Sequence, residues 1–193
     1  RGRYVIAGTD RSVTLDAVVT EASGLSAEAM FIPDSPTFPN GTHICEIEID
    51  PETGRVALQR YTTVDDVGNV LNPLLLEGQI QGGVVQGMGQ ALLEAIRFDP
   101  ETGQTVTGSF MDYAMPRADD VCAIETQSCP VPTALNPLGV KGAGEAGTVG
   151  AVPAVMCAVA DALAALGADD LDMPATPETI WRALSQRMEN LAE

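Results

Sequence analysis

Among the acidic side chains of this sequence, Glu145 stands out by its surroundings. It lies in Asn136-Pro137-Leu138-Gly139-Val140-Lys141-Gly142-Ala143-Gly144-Glu145-Ala146-Gly147-Thr148-Val149-Gly150, which holds five glycines, one lysine and one carboxylate in fifteen residues. Glycines gather where a backbone must take a positive φ or let another group come close. An apolar, Ala-rich segment from Ala151 to Leu166 follows and reads as a helix. Gly147 and Thr148 lead into it, so unpaired backbone N–H groups should face whatever lies at its start. Glu145 is thus expected on a tight loop beside a helix N-terminus, with little bulk around it, where one carboxylate can be presented to a ligand. The plainer alternative is a Gly-rich turn with a solvated Glu145. A nucleotide-binding reading has less support, because Lys141-Gly142 reverses the Walker order and no Gly-x-Gly-x-x-Gly follows a clear strand.

Other polar residues are candidates at lower specificity. Asp65-Asp66-Val67-Gly68-Asn69 reads either as a strand end near a polar site or as an exposed turn. Glu77 to Gln90 carries five glycines together with Gln79, Gln81, Gln86 and Gln90. Each glycine costs a helix about 1 kcal/mol relative to alanine, so glycines at helical spacing point to close packing against another element or a ligand. The glutamines are neutral donors and acceptors along that element, or simply exposed amides. Cys45, Cys122, Cys129 and Cys157 form no Cys-x-x-Cys, and His43 is the single histidine, so spacing supplies no zinc or iron–sulfur ligand set. Free, partly buried thiols suit a reducing, cytoplasmic compartment. Asp50 and Glu52 lack the EF-hand spacing and belong to a solvated turn.

The elements that must position these residues follow from pattern. Residues 4–9 are a short β-rich run, and Ser12 to Glu21 suits a short helix capped by Ser12 or Thr14. Pro33, Pro36 and Pro39 make residues 30–41 a loop. His43 to Asp50 alternates, Pro51-Glu52-Thr53-Gly54 turns, and Val56 to Asp65 alternates again, which is a hairpin with one buried face. Pro73, after Asn72, fits the first turn of a long segment to about Ala95. Asp99-Pro100-Glu101-Thr102-Gly103 repeats the earlier turn, but the flanks differ and there is no repeat architecture. Phe110 to Pro116 reads as extended and partly buried, and residues 121–128 as a strand. Thr176 and Pro177 open a terminal helix, Thr179 to Leu191, with Ile180, Leu184 and Met188 on one face and Trp181 beside it.

The fold class is therefore α/β (α+β): twisted β-hairpins packed with two to three helices. At 193 residues and 45% hydrophobic content the chain can build a real core. A formal charge of −17 argues against nucleic acid and against docking on an anionic membrane. No apolar run reaches the roughly 18 residues that a span requires. The opening Arg1-Gly2-Arg3-Tyr4-Val5-Ile6 has neither an initiator Met nor a signal-peptide core, and reads like the middle of something longer.

Three motifs come in one order: Gly78-Gln79-Ile80-Gln81-Gly82-Gly83-Val84-Val85-Gln86-Gly87-Met88-Gly89-Gln90, then Phe110-Met111-Asp112-Tyr113-Ala114-Met115-Pro116, then Lys141-Gly142-Ala143-Gly144-Glu145-Ala146-Gly147. With Asp65-Asp66-Val67-Gly68-Asn69 before them, they resemble the C-terminal portion of the molybdenum-binding large subunit of the xanthine dehydrogenase/aldehyde oxidase family, the molybdenum hydroxylases. The likeness runs from about Tyr4 to Glu193, which makes 1–193 one cofactor-binding (sub)domain. The Gly-Glu-Ala-Gly loop and the Asp-Tyr-Ala-Met-Pro segment look closest to bacterial carbon monoxide dehydrogenase-like or N-heterocycle hydroxylase members.

The resemblance implies hydroxylation of an aldehyde or N-heterocycle carbon with oxygen from water, with Glu145 as general base. It implies a molybdopterin, as such or as the cytosine dinucleotide. Gln79 and Lys141 match cofactor-contacting positions, Gly142 and Gly144 let the loop approach the cofactor, and Asp66 and Gly68 fall near cofactor-contacting backbone. No protein side chain is implied as a metal ligand. Iron–sulfur clusters and FAD are expected on partner subunits, and further cofactor loops and much of the substrate pocket on the remainder of the large subunit. Such a chain carries the base and part of the cradle and is not expected to be a competent enzyme alone. A family-derived subunit that only binds or assembles is the alternative.

Overall fold

A computed structural model describes residues 2–22, 26–32, 34–168 and 171–192. The chain divides into two compact units, residues 1–34 and 35–193. In the first, strand β1 (Arg3–Val5) pairs antiparallel with β2 (Ser12–Thr14), and helix α1 (Leu15–Glu21) follows directly. The segment after Ile6 is turn rather than strand, and Thr14, not Ser12, caps α1 by accepting from Ala17 N–H at 3.2 Å. No residue of α1 is buried. Pro33 lies outside the described residues.

The second unit is a three-stranded sheet with helices packed on it. Strand β3 (Asn40–Ile49) pairs antiparallel with β4 (Val56–Asp66), and β4 pairs parallel with β5 (Ile124–Ser128). The hairpin is the one the alternation predicts. The parallel strand beside it departs from a fold of hairpins alone, since β5 returns only after a long crossover that includes a helix. That helix, α2 (Pro73–Leu92), starts where Asn72 accepts from Leu75 N–H at 3.2 Å and Pro73 occupies the first turn. Helix α3 is Ala146–Ala165 and α4 is Pro177–Ala192, the latter opened by Thr176 accepting from Thr179 N–H at 3.3 Å. Ile180 and Leu184 of α4 are buried; the side chain of Met188 lies outside the described residues, as does Glu193.

Tertiary packing overrides the poor helix propensity of α2. A Cβ on Gly83 would stand 3.0 Å from Gly147 Cα, and one on Gly87 would stand 2.7 Å from Ala151 Cβ. Gly83 and Gly87 thus meet Gly147 and Ala151 at matched four-residue spacing, and the two helix backbones approach closely. Thr148 ties them by donating from Oγ1 to Gly83 O at 3.1 Å. Around this crossing lie Ile80, Val84 and Met88 of α2, the stripe Ala151, Val155, Val159 and Leu163 of α3, and Tyr61 of the sheet. Helix α3 is long and apolar enough to cross a membrane by length and composition. Its buried stripe at positions 151, 155, 159 and 163 is what a core helix requires.

Phe110 to Pro116 is not extended. Residues 109–113 form a turn, with Asp112 and Tyr113 N–H bonded to Ser109 O. The Tyr113 hydroxyl donates to Glu94 at 2.6 Å, and Phe110 and Met111 are left exposed. A Ser-Phe-Met-Asp sequence favours the turn because Ser109 also bonds the Asp112 carboxylate locally, at 2.8 Å.

Candidate active site

The loop that carries Glu145 is held from three directions. On the sheet side, Gly68 pairs with Val140 beyond the end of β4, and Lys141 N–H donates to Val67 O at 2.8 Å. Gly68 has φ +66, and a Cβ there would run into Gly139 O, so this position requires glycine twice over. On the α2 side, Gln79 Nε2 donates to Gly144 O at 2.7 Å. At the far end, α3 begins at Ala146 and packs on α2 through Gly147.

Glu145 occupies the N-cap position of α3 but makes no capping hydrogen bond. Its exposed carboxylate is therefore not consumed by its own helix. It lines a cavity of about 430 Å³ with Gly142, Gly144, Val149 and Gly150 on one side and Gly41, His43 and Asp65 of the hairpin on the other. Behind the same loop is a second hollow of about 470 Å³, lined by Gln79, Lys141, Gly144 and, among its apolar residues, Leu71 and Leu75. Gly144 borders both. The structure thus brings Glu145, Gly142 and Gly144 to one side of the loop, and Gln79 and Lys141 to the other.

Asp66 and Gly68 line neither space. Asp66 is buried and saturated: it accepts from Lys141 Nζ at 2.5 Å, from Gly68 N–H at 2.9 Å, from Val131 N–H at 2.9 Å and from Asn40 Nδ2 at 3.4 Å. The Lys141 ammonium first, then the two backbone N–H groups, hold its carboxyl well below the usual carboxylate range. Asp66 braces Lys141 rather than meeting a ligand itself.

Sequence reasoning passed over a second polar cluster. His43, the single histidine, has its Nδ1 2.7 Å from the Tyr61 hydroxyl and its Nε2 3.4 Å from Asp65 Oδ1. Thr63 Oγ1 donates to the other Asp65 oxygen at 2.5 Å. The register makes this necessary: His43 stands opposite Thr63, Cys45 opposite Tyr61 and Gly41 opposite Asp65. Residues 61, 63 and 65 share one face of β4, and long side chains reach the diagonal neighbour across a strand pair. Gly41 leaves the room, since a Cβ there would strike the Asp65 carboxylate. The available signal was the phase of β3, in which His43, Cys45, Ile47 and Ile49 turn inward. Burial pushes the Tyr61 phenol up, with Cys45 and Asp65 adding to it. Burial likewise pushes the Cys45 thiol up to about 11, which leaves it unreactive.

Four glycines near the loop have open space where a side chain would stand. A Cβ on Gly78, Gly82, Gly142 or Gly144 would meet nothing within 4 Å, and none has a positive φ. Neither packing nor backbone conformation calls for glycine there. Gly78 and Gly82 even weaken the exposed side of α2. A surface kept free of side chains suits a flat, polar ligand that lies against the backbone, and the residues present fit a pterin in this respect. Among the described residues no group of three or more His, Cys, Asp or Glu side chains could hold a metal ion.

Residues 1–122 match the family model of the molybdopterin cofactor-binding domain. The chain belongs to that family, in the molybdenum-binding large subunits of the xanthine dehydrogenase/aldehyde oxidase group. Asp66, Gly68 and Gln79 lie inside the matched residues; Lys141 and Glu145 lie beyond them. Among curated relatives of the family, the nicotine 6-hydroxylase large subunit of Paenarthrobacter nicotinovorans is 41% identical over 77% of this chain and 18% of its own length. The carbon monoxide dehydrogenase large chain of Hydrogenophaga pseudoflava is 36% identical over 88% of this chain and 21% of its own. A crystal structure of Cu,Mo-CO dehydrogenase superposes on 81% of this chain and 20% of its own with a TM-score of 0.77 at 36% identity. Quinoline 2-oxidoreductase from Pseudomonas putida 86 does so on 77% of this chain and 19% of its own, at 0.73 and 40% identity. The chain thus spans about a fifth of the length of these relatives.

Proposed function

We propose that this molybdopterin-binding chain supplies the proton-accepting carboxylate and one wall of the cofactor site in a molybdenum hydroxylase that oxidises an electron-poor carbon, of an aldehyde or N-heterocycle, with oxygen from water. The observation that carries the reading is the free Glu145 carboxylate at the start of α3, facing a cavity and separated from Gln79 and Lys141 only by the loop they share. The names of the relatives, a nicotine hydroxylase and a quinoline oxidoreductase, support an N-heterocycle as substrate.

The bound cofactor would supply the redox chemistry, taking up the hydride equivalent, two electrons and one proton, of the substrate C–H bond that breaks. This chain's residues do the rest by position and proton handling. Glu145 accepts the proton released when the water-derived oxygen adds to carbon, which a carboxylate within hydrogen-bond reach does efficiently. Gln79 spends its Nε2 on Gly144 O and keeps its Oε1 for a ligand donor. Lys141, braced by Asp66, offers a fixed cation to a phosphate or an electron-rich pterin edge. Gly142 and Gly144 keep the loop thin. Exposed Leu71, Leu74 and Leu75 beside the Gln79 hollow, and exposed Val149 beside the Glu145 cavity, are surfaces for the remainder of the large subunit. Iron–sulfur and flavin subunits complete the electron path, and the free thiols Cys45, Cys122, Cys129 and Cys157 suit a cytoplasmic setting.

The test is Glu145→Gln in the complete, molybdenum-replete complex, read by stopped-flow reduction with substrate. Loss of a general base lowers this rate by about 10²- to 10⁴-fold while reoxidation through the other centres is unchanged. A rate within about threefold of the parent would refute the assignment and leave the chain a cofactor-binding or assembly element.

A further inference from the structure

The geometry points to His43 as a positioning residue that sets the first turn of α3, and with it the Glu145 carboxylate. This rests on the reading of Glu145 as base. Two observations carry it. First, the imidazole is gripped on both nitrogens inside the hairpin, by Tyr61 at 2.7 Å and Asp65 at 3.4 Å, and His43 and Asp65 side chains are only 5% and 6% exposed. Asp65 is itself fixed by Thr63. A carboxylate only accepts, so Nε2 donates to Asp65, while Nδ1 pairs with the buried Tyr61 hydroxyl. The two contacts hold the ring in one orientation.

Second, that ring fills the place where a side chain at position 150 would stand. A Cβ on Gly150 would lie 2.5 Å from both Cε1 and Nδ1 of His43 and 2.6 Å from Nε2. Gly150 is five residues from Glu145, in the first two turns of α3, and both residues line the cavity with His43. The imidazole is thus a rigid stop on the sheet side of α3, as Gly83 is on the α2 side. With both stops in place the first turn of α3 has no freedom to slide, and Glu145, which makes no capping bond of its own, inherits its position from that turn.

The molecule should therefore answer to a complementary pair of substitutions. Alanine at 150 drives a methyl group into the ring when His43 is present, and fits when the ring is gone. The experiment takes the molybdenum-loaded complex as parent, His43→Ala, His43→Gln, Gly150→Ala, the His43→Ala/Gly150→Ala double variant, and Glu145→Gln. The first readout needs no substrate: amide hydrogen exchange of Val149, whose N–H bonds Glu145 O at 3.0 Å, and of Gly150 one residue further into α3. Exchange is expected to rise about tenfold or more in His43→Ala and in Gly150→Ala. It should return toward the parent in His43→Gln, whose amide can still donate to Asp65 and accept from Tyr61, and in the double variant. The second readout is turnover with nicotine, quinoline or a simple aldehyde, whichever the parent oxidises, per bound molybdenum. His43→Ala should lower kcat on the order of 10- to 100-fold with KM within about twofold, as a displaced catalytic group does, and the double variant should recover part of it.

Unchanged exchange in His43→Ala, or a double variant no better than the sum of the single ones, would overturn the positioning role. So would loss of turnover that tracks molybdenum content alone, which is what a merely structural histidine gives. If His43→Ala passes both readouts unaltered while Glu145→Gln is inactive, the base stands and this inference falls. If Glu145→Gln keeps full activity, the base reading falls and the positioning of a catalytic group falls with it.

Discussion

Asp65 and Asp66 are neighbours in sequence and belong to different sides of the same loop. Asp65 faces the Glu145 cavity and holds His43; Asp66 turns away and is saturated by Lys141 and by Gly68 and Val131 N–H. Successive residues of a strand point to opposite faces, so one strand end serves both the cavity and the Gln79–Lys141 hollow. On the cavity side the built features hold a carboxylate without spending its hydrogen-bonding capacity. On the other side a carboxylate is fully spent on bracing a cation. The first arrangement leaves a group free to exchange a proton; the second fixes a charge. The two sides should therefore fail in different ways when broken.

The largest contrast is kinetic. Glu145→Gln should cost about 10²- to 10⁴-fold in the rate of reduction by substrate with molybdenum content unchanged. Lys141→Met should instead lower molybdenum content, measured by elemental analysis, with the rate per molybdenum near the parent's; a matching kinetic loss per molybdenum would erase the distinction between the sides. Next comes Gly147→Ala, which strikes both sides together, because its Cβ would run into Ile80 O at the α2–α3 crossing. Overpacking against backbone costs about 1–3 kcal/mol, read as a lower midpoint in urea unfolding. An unchanged midpoint would mean that the helices can separate at no cost. Gln79→Ala should have a smaller effect, lowering cofactor occupancy severalfold and leaving unfolding unaltered, since the exposed side chain bonds only Gly144 O.

The smallest effect is on acid stability and belongs to Asp66. Its carboxyl is held below the ordinary value of 3.8 when folded, so the stability it contributes is complete above that value and is lost as pH falls through the folded value. Urea midpoints measured from about pH 6 down to about pH 2 should fall in the parent below about pH 4. In Asp66→Asn this component of the fall should be missing, with a lower midpoint at neutral pH. Equal slopes for the two proteins in that range would show that Lys141 does not stabilise the ionised form.

Sequence alone determined what depends on local chemistry. The hairpin from residue 40 to 66 is legible as alternation about a turn, and the start of α2 as Asn72 followed by Pro73. Asp-Pro-Glu-Thr-Gly occurs twice and makes the same turn twice, Gly54 and Gly103 each donating to the aspartate carbonyl four residues back at 2.8 Å. Three motifs in order, Gly78–Gln90, Phe110–Pro116 and Lys141–Gly147, with Asp65–Asn69 before them, carried the resemblance to the family, and Glu145 was conspicuous because glycines surround it. Tertiary structure decided which of these features face one another. Gly54 is pressed against Pro177 O and Trp181 N–H at the start of α4, while Gly103 meets nothing, although their local sequences are identical. The five glycines of α2 divide in the same way: Gly83 and Gly87 admit α3, Gly89 admits Pro116, and Gly78 and Gly82 remain open. The His43–Asp65 cluster is set by cross-strand register, and its contact with Gly150 by a helix about a hundred residues further along the chain. A propensity or a turn is fixed by a few adjacent dihedrals and is written in a short window. A face, a close approach or a shared cavity is fixed by which backbones pack together, and no short window contains that.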